Sequence, residues 1–361
     1  MSAGRYLATL LNVFSVLCGC LSAPVNAEDA GTGAYDKPGA HTVKTLVFPD
    51  LKDAKRRDRQ VPIKVLYPES AGSFPLVLMS HGGGGTWDAN LYQAEHLASY
   101  GYVVFCLEHI CSNNKRVGYY MSRAGGGMTF QEAIHRITKD ADAMLGRPKD
   151  VSFAIDQAVA WNESEPRLKG KIDTKKIGMM GHSYGAYTTL AVCGARPIRD
   201  HMIPAQDPPT GLAEDLNDPR VTFGFPMSPQ PTDGTFFGED SYKTIHRPLV
   251  CLTGPQDNWK TSDGKVMPGE RRLEVFKLLP AGEKYFFWLE GADHAAFSDG
   301  PKAGFLPSEA RPDAQRISKA LMVVSCDYYL KGKKDAAGFL REAYVNSLCG
   351  KVVTKAKLMA K

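Results

Sequence analysis

Along this chain, short unbroken apolar runs alternate with stretches in which apolar residues recur every three or four positions. The unbroken runs fall at 76–79, 102–107, 177–180, 221–225, 249–252 and 285–289. Runs of this length without polar interruption predict strands buried on both faces, as in a parallel sheet. The helical spacing is carried by Val151, Ile155 and Val159 after Pro148, by Leu273, Phe276 and Leu279, and by Ile317, Leu321, Val324 and Tyr328. A small-residue helix is predicted over 186–195. Such alternation predicts an α/β architecture, a mostly parallel sheet with helices on both faces. Residues 43–48 and 60–67 are expected to add antiparallel edge strands. Two long connections, near 111–147 and 196–220, interrupt the pattern, and loops of that length are usually functional.

No internal repeat or composition break divides the chain, so one domain is expected over 43–350. Residues 28–42, rich in Gly, Ala and Asp, read as a flexible leader. Residues 351–361, with Lys351, Lys355, Lys357 and Lys361, read as a frayed basic tail. Ahead of the leader, Arg5 precedes an apolar stretch over 6–21 and the small-residue site Val25-Asn26-Ala27. That order predicts a signal peptide over 1–27 and a secreted or periplasmic protein. The stretch is short for a membrane span and carries Asn12, so no stable span is expected. Lipid attachment at Cys20, in Leu17-Cys18-Gly19-Cys20, is the alternative.

Composition changes this picture little. With 361 residues and a net charge of +5, and with no basic block interleaved with aromatics, nucleic acid is not an expected partner. Oligomeric state cannot be read from the chain. Export would permit disulfides, yet Cys106, Cys193 and Cys251 sit in apolar runs and read as buried thiols. Cys326 with Cys349 is the pair that would bridge if any does. No cysteine pair has metal-ligand spacing, so no metal site is expected.

The sharpest chemical signal is Gly181-His182-Ser183-Tyr184-Gly185, which follows the run at 177–180 and opens the helix predicted at 186–195. A serine in such a strand–turn–helix setting is lifted above the sheet as a nucleophile. Ser80-His81-Gly82-Gly83-Gly84-Gly85, straight after the run at 76–79, is the second signal. Glycines let backbone N–H groups turn toward the oxyanion that forms during acyl transfer. The expected donors are the N–H groups of Gly83 and Tyr184. A phosphate-binding loop would need a following Gly-Lys-Ser/Thr, which is missing.

A base is then required, and His294 lies just past the last apolar run, in Gly291-Ala292-Asp293-His294. His81 belongs to the glycine loop, and His182 is expected to face away from the serine beside it. His109, His135, His201 and His246 lie in or near loops. The favoured acid is Asp257, after the run at 249–252, giving the chain order Ser, Asp, His used by hydrolases of this architecture. Asp233, one strand earlier, is the rival. Asp293 adjoins His294 and reads as a turn residue. Trp87, Tyr184, Trp259 and Tyr119 are candidates to line a substrate cleft, and Glu108-His109 reads as a structural pair. This chemistry requires no cofactor.

These residues, together with Arg147-Pro148-Lys149-Asp150-Val151, resemble the α/β-hydrolase superfamily. Over about 43–330 the chain resembles bacterial predicted dienelactone hydrolases and platelet-activating-factor acetylhydrolases, and more distantly cutinases and polyester hydrolases. The resemblance implies an α/β-hydrolase fold and a serine esterase acting on small-molecule, lipid or polymeric esters. Dienelactone hydrolases proper use cysteine where this chain has Ser183, so the resemblance does not extend to dienelactone as substrate. The same residues would serve an acyltransferase or a peptidase, although Ala186 stands where prolyl-oligopeptidase-type elbows carry glycine. A non-catalytic binding module has no physical need for all three groups.

Overall fold

The computed structural model describes residues 35–261, 263–299 and 307–361. Nine strands form one sheet: β1 (Val43–Phe48), β2 (Ile63–Pro68), β3 (Phe74–Ser80), β4 (Val103–Leu107), β5 (Ile172–His182), β6 (Val221–Met227), β7 (Leu249–Thr253), β8 (Lys284–Glu290) and β9 (Lys355–Ala360). Their spatial order is β1-β2-β4-β3-β5-β6-β7-β8-β9. From β4 through β8 every neighbouring pair is parallel, while β1, β2 and β9 run antiparallel to their neighbours. This is the α/β-hydrolase fold. Each of the six apolar runs falls within, or one residue outside, a strand. Both predicted edge strands are present.

Burial on both faces explains why those runs lack polar residues. Along β8, Phe286 packs into one core with Ile155 of α4 (Ala141–Ser164) and Leu190 of α5 (Tyr184–Val192). Phe287 points the other way, into a second core with Leu97 of α1 (Leu91–Ser99) and Leu321 of a C-terminal helix, Arg311–Tyr329. Adjacent residues of a strand face opposite sides, so two consecutive phenylalanines serve two cores. Burying each contributes about 2–3 kcal/mol. Among the described residues no helix is long and apolar enough to cross a membrane. The expected signal peptide at 1–27 and the Cys20 alternative lie outside the described residues.

Two expectations are corrected, and the described cysteines are free. The leader predicted at 28–42 is packed against the domain from Tyr35 onward. The Tyr35 carbonyl accepts from His96 Nε2 at 2.8 Å, and its ring meets Phe339 edge-on at 5.2 Å. One aromatic anchor outweighs the surrounding flexible composition. The tail predicted at 351–361 is not frayed, because 355–360 form β9 against β8. Ala356 is buried, whereas Lys355 and Lys357 are exposed, an alternation at period two that the lysine count concealed. The Cys326–Cys349 bridge is absent, and all six described thiols are free. Cys349 Sγ instead turns back on the helix that precedes it, Glu342–Ser347, toward the Val345 carbonyl at 3.5 Å.

The connection at 111–147 holds two helices, α2 (Asn114–Met121) and α3 (Phe130–Thr138). Asn113 caps the first, accepting from the Arg116 N–H at 3.0 Å. Thr129 and Glu132 form a reciprocal capping box on the second, a signature present in the sequence. The helix predicted to follow Pro148 begins earlier, at Ala141, and encloses the proline. Pro148 has no N–H to give the Met144 carbonyl. The Tyr187 hydroxyl supplies that bond from α5 at 2.8 Å. Tyr187→Phe is therefore expected to cost about 1–3 kcal/mol by stranding a buried carbonyl. Urea unfolding checks this, and an unchanged midpoint would contradict it.

Candidate active site

Strand β5 ends at His182 and helix α5 begins at Tyr184, leaving Ser183 alone at the turn. Its backbone sits at φ 57° and ψ −119°, a conformation that side-chain-bearing residues rarely adopt. The surroundings enforce it. The Ser183 N–H donates to the Met227 carbonyl at the end of β6 at 3.0 Å. A Cβ on Gly185 would stand 1.8 Å from the Ser80 carbonyl oxygen, and one on Gly181 would stand 2.4 Å from that of Gly185. Neither position admits a side chain, so the glycines let three backbone segments close around the serine.

Three residues far apart in sequence converge here. Ser183 Oγ lies 2.9 Å from His294 Nε2, and His294 Nδ1 lies 2.7 Å from Asp257 Oδ1. A carboxylate only accepts, so Nδ1 carries the proton and Nε2 is left to accept from the serine hydroxyl. The loops bearing Asp257 and His294 are tied by a parallel bridge between Gln256 and Asp293. Such a hydroxyl–imidazole–carboxylate line can withdraw the serine proton as the oxygen attacks a carbonyl carbon.

Asp257 is fully buried. Burial alone would push its carboxyl up. The Arg272 guanidinium, then His294 and hydrogen bonds, outweigh this and hold it well below the usual carboxylate range. Arg272 Nη2 lies 3.0 Å from Asp257 Oδ1, and Thr253 Oγ1 donates to Oδ2 at 2.7 Å. Arg272 also donates to the carbonyls of Asp257, Ser228 and Pro229. No sequence pattern singles it out. Its only signal is proximity in space, at the start of α6 (Leu273–Leu278).

Asp233, the rival acid, is occupied elsewhere, with its Oδ2 accepting from Trp259 Nε1 at 3.0 Å. Asp293 accepts from Ser308 at 2.8 Å. His182 makes no hydrogen bond to the Ser183 hydroxyl among the described residues, but it packs against the base. Its ring lies 4.8 Å from that of His294, centroid to centroid. Burial first, then the neighbouring His294, pushes the His182 pKa down to about 3, so His182 packs there as a neutral ring.

The glycine loop lies alongside. A Cβ on Gly82 would be 3.4 Å from Ser183 Cβ. His81 Nδ1 lies 2.6 Å from the Gly82 carbonyl, and its Nε2 accepts from the His109 N–H at 3.0 Å. The Gly83 N–H has no partner among the described residues. The Tyr184 ring is buried beneath, and Ile134 and Ile137 of α3 pack against Gly83. Glu108 and His109, read as a pair, take separate partners. Glu108 accepts from Asn113 Nδ2 at 2.7 Å, and His109 is held by Ser80 and Asp150.

The four aromatic candidates separate, and the ring of Tyr184 is buried rather than lining a cleft. Trp259 abuts the site, its ring 4.8 Å from the Arg272 guanidinium. It opens a small hairpin, Trp259–Lys260 with Val266–Met267, that α3 reaches through His135 Nε2 donating to the Lys260 carbonyl at 2.8 Å. Tyr119 is half exposed on α2, its ring against Tyr120. Trp87 packs on the α1 side of the sheet under the Lys64 ammonium, 5.3 Å from its ring.

No family model matches the chain. It is similar to the platelet-activating factor acetylhydrolase of Cavia porcellus, 26% identical over 152 residues, or 36% of this chain and 34% of the relative. It is also similar to cutinase 2 of Thermobifida cellulosilytica, 24% identical over 144 residues, covering 39% of this chain and 42% of that one. A cutinase of Thermobifida fusca (strain YX) shows the same identity over 39% of this chain and 34% of the relative. The chain thus spans about a third to two-fifths of the length of the curated relatives it matches.

Proposed function

We propose that this protein is a serine hydrolase that cleaves carboxylic esters through an acyl-enzyme. The observation that carries the reading is the line from Ser183 Oγ through His294 to buried Asp257, with the serine held at a strained strand–helix turn. Similarity to proteins named acetylhydrolase and cutinase supports ester bonds as the target.

In this reading Ser183 Oγ attacks the ester carbonyl carbon while its proton passes to His294 Nε2. Asp257 holds the imidazole in the required tautomer. The carbonyl oxygen, now an anion, takes hydrogen bonds from the N–H groups of Gly83 and Tyr184, and each such donor is worth about 3–4 kcal/mol of barrier. The tetrahedral centre collapses, and the alcohol leaves with the proton from His294. Water then repeats the attack and frees the acid.

The acyl or alcohol group would lie between α3 and the Trp259 hairpin, where Trp259 offers an aromatic face. Small-molecule, lipid and polymeric esters all fit this description. The reading includes export, on the strength of the signal peptide expected from the sequence at 1–27. The test is a chain-length series of p-nitrophenyl esters together with labelling by a fluorophosphonate, which traps an activated serine. Ester turnover with the label on Ser183 is expected. A folded protein that neither turns over any ester nor takes the label would end the reading.

A further inference from the structure

The segment Arg147-Pro148-Lys149-Asp150-Val151 takes no part in the line of groups above, yet Arg147 is the bulkiest fully buried side chain described. A buried guanidinium ordinarily meets a carboxylate. None of the hydrogen bonds from this one reaches a carboxylate. Its Nη2 donates to the His81 carbonyl and, at 2.9 Å, to Ser80 Oγ. Its Nη1 donates to Ser112 Oγ at 2.7 Å, and its Nε to Thr188 Oγ1 at 2.8 Å. The plane lies 4.3 Å from the centre of the Tyr184 ring. Asp150, the nearby carboxylate, is engaged by Arg56, Arg59 and His109.

Those contacts reach both sides of the oxyanion site. On one side stands the His81 carbonyl, immediately before Gly82 and Gly83. The Gly82 carbonyl only accepts, so His81 Nδ1 must donate to it and Nε2 must accept from the His109 N–H. The Gly85 N–H, at 3.1 Å, holds the same carbonyl. In a trans peptide the N–H points opposite the C=O, so pinning the Gly82 oxygen aims the Gly83 N–H. On the other side stands Tyr184, whose N–H is the second donor.

A sealed relay braces the arrangement. Ser80 Oγ lies 2.8 Å from His109 Nε2, and His109 Nδ1 lies 2.9 Å from Asp150 Oδ2. This repeats the hydroxyl–imidazole–carboxylate order of the site, but Ser80 is 1% exposed and His109 and Asp150 are fully buried. No substrate reaches it. Arg147 donates to the serine, the serine to the imidazole and the imidazole to the carboxylate, so each proton is fixed along a rigid strut.

We propose that Arg147 is the positioning residue of the oxyanion hole: one guanidinium that fixes the backbone ahead of Gly83 and the ring of Tyr184 together. The inference rests on the esterase reading and its two donors. The experiment measures kcat and KM on a short p-nitrophenyl ester, per serine counted by exhaustive fluorophosphonate labelling. The variants are Arg147→Met and Arg147→Lys, with Tyr187→Phe as a control that weakens the fold nearby.

Arg147→Met is expected to lose about a hundredfold in kcat per labelled serine, as when one oxyanion donor is lost. Arg147→Lys keeps the charge but cannot bond His81, Ser80, Ser112 and Thr188 at once, and is expected to lose about tenfold. KM should stay within about threefold in both, and the control should keep its kcat per serine. A merely structural role would lower the count of labelled sites and leave kcat per site unchanged. Retained kcat in either folded variant, or a loss confined to KM, overturns the proposal. If the methionine variant does not fold, the lysine variant decides. Wild type without ester turnover would instead remove the esterase reading, a separate result.

Discussion

Replacing Ser183 with alanine is expected to lower ester turnover by about a million-fold, the loss seen when a member of a cooperating triad is removed. The fold should hardly notice. Among the described residues the Ser183 side chain bonds only to His294 Nε2, and its left-handed backbone is imposed by the Met227 carbonyl and the flanking glycines. Stability within about 0.5 kcal/mol of wild type is expected from urea unfolding. The proposed donors, the N–H groups of Gly83 and Tyr184, are untouched by the change, so residual hydrolysis above the water rate should survive. An alanine variant that hydrolyses p-nitrophenyl esters at the wild-type rate would assign the nucleophile to another residue.

Asp257→Asn carries the second-largest expected effect. Asparagine can turn its amide toward His294 Nδ1, which stabilises the wrong tautomer and leaves Nε2 protonated and unable to accept from Ser183. A loss of about ten-thousandfold in kcat is expected on that ground. The change also strips Arg272 of its buried ion-pair partner at 3.0 Å, so a stability loss of about 3–5 kcal/mol should accompany it. Asp233→Asn keeps an oxygen for the Trp259 indole and should stay within about threefold of wild type. Steady-state kinetics on both variants decide the matter. A crippled Asp233→Asn beside an active Asp257→Asn would move the acid one strand earlier.

The parallel core of the sheet was legible because strands buried on both faces must be apolar throughout, as at 249–252 and 285–289. Ser183 and its partners were legible because neighbouring parallel strands deliver their following loops to one rim. Chain order then sufficed to nominate Asp257 and His294. Features set by contact rather than by periodicity were not legible. Arg272 looks like any arginine until the fold brings it against Asp257. Pro148 reads as a helix boundary until the Tyr187 hydroxyl reaches the carbonyl it leaves free. His182 looks like any residue of an elbow until the loop that carries His294 comes against its ring. The capping box of α3 was present in the sequence but passed over within a glycine-rich stretch.

Strand β9 has a consequence for how the protein behaves in solution. An open sheet ends in a row of unpaired amide and carbonyl groups that can recruit a strand from another molecule. Here the outermost row carries exposed Lys355 and Lys357, the latter paired with Glu290 at 2.9 Å. Clipping this segment would lay bare β8, with its run Tyr285-Phe286-Phe287-Trp288-Leu289, and turn a charged border into an adhesive one. Self-association, more than any loss of chemistry, is what such a truncation would bring.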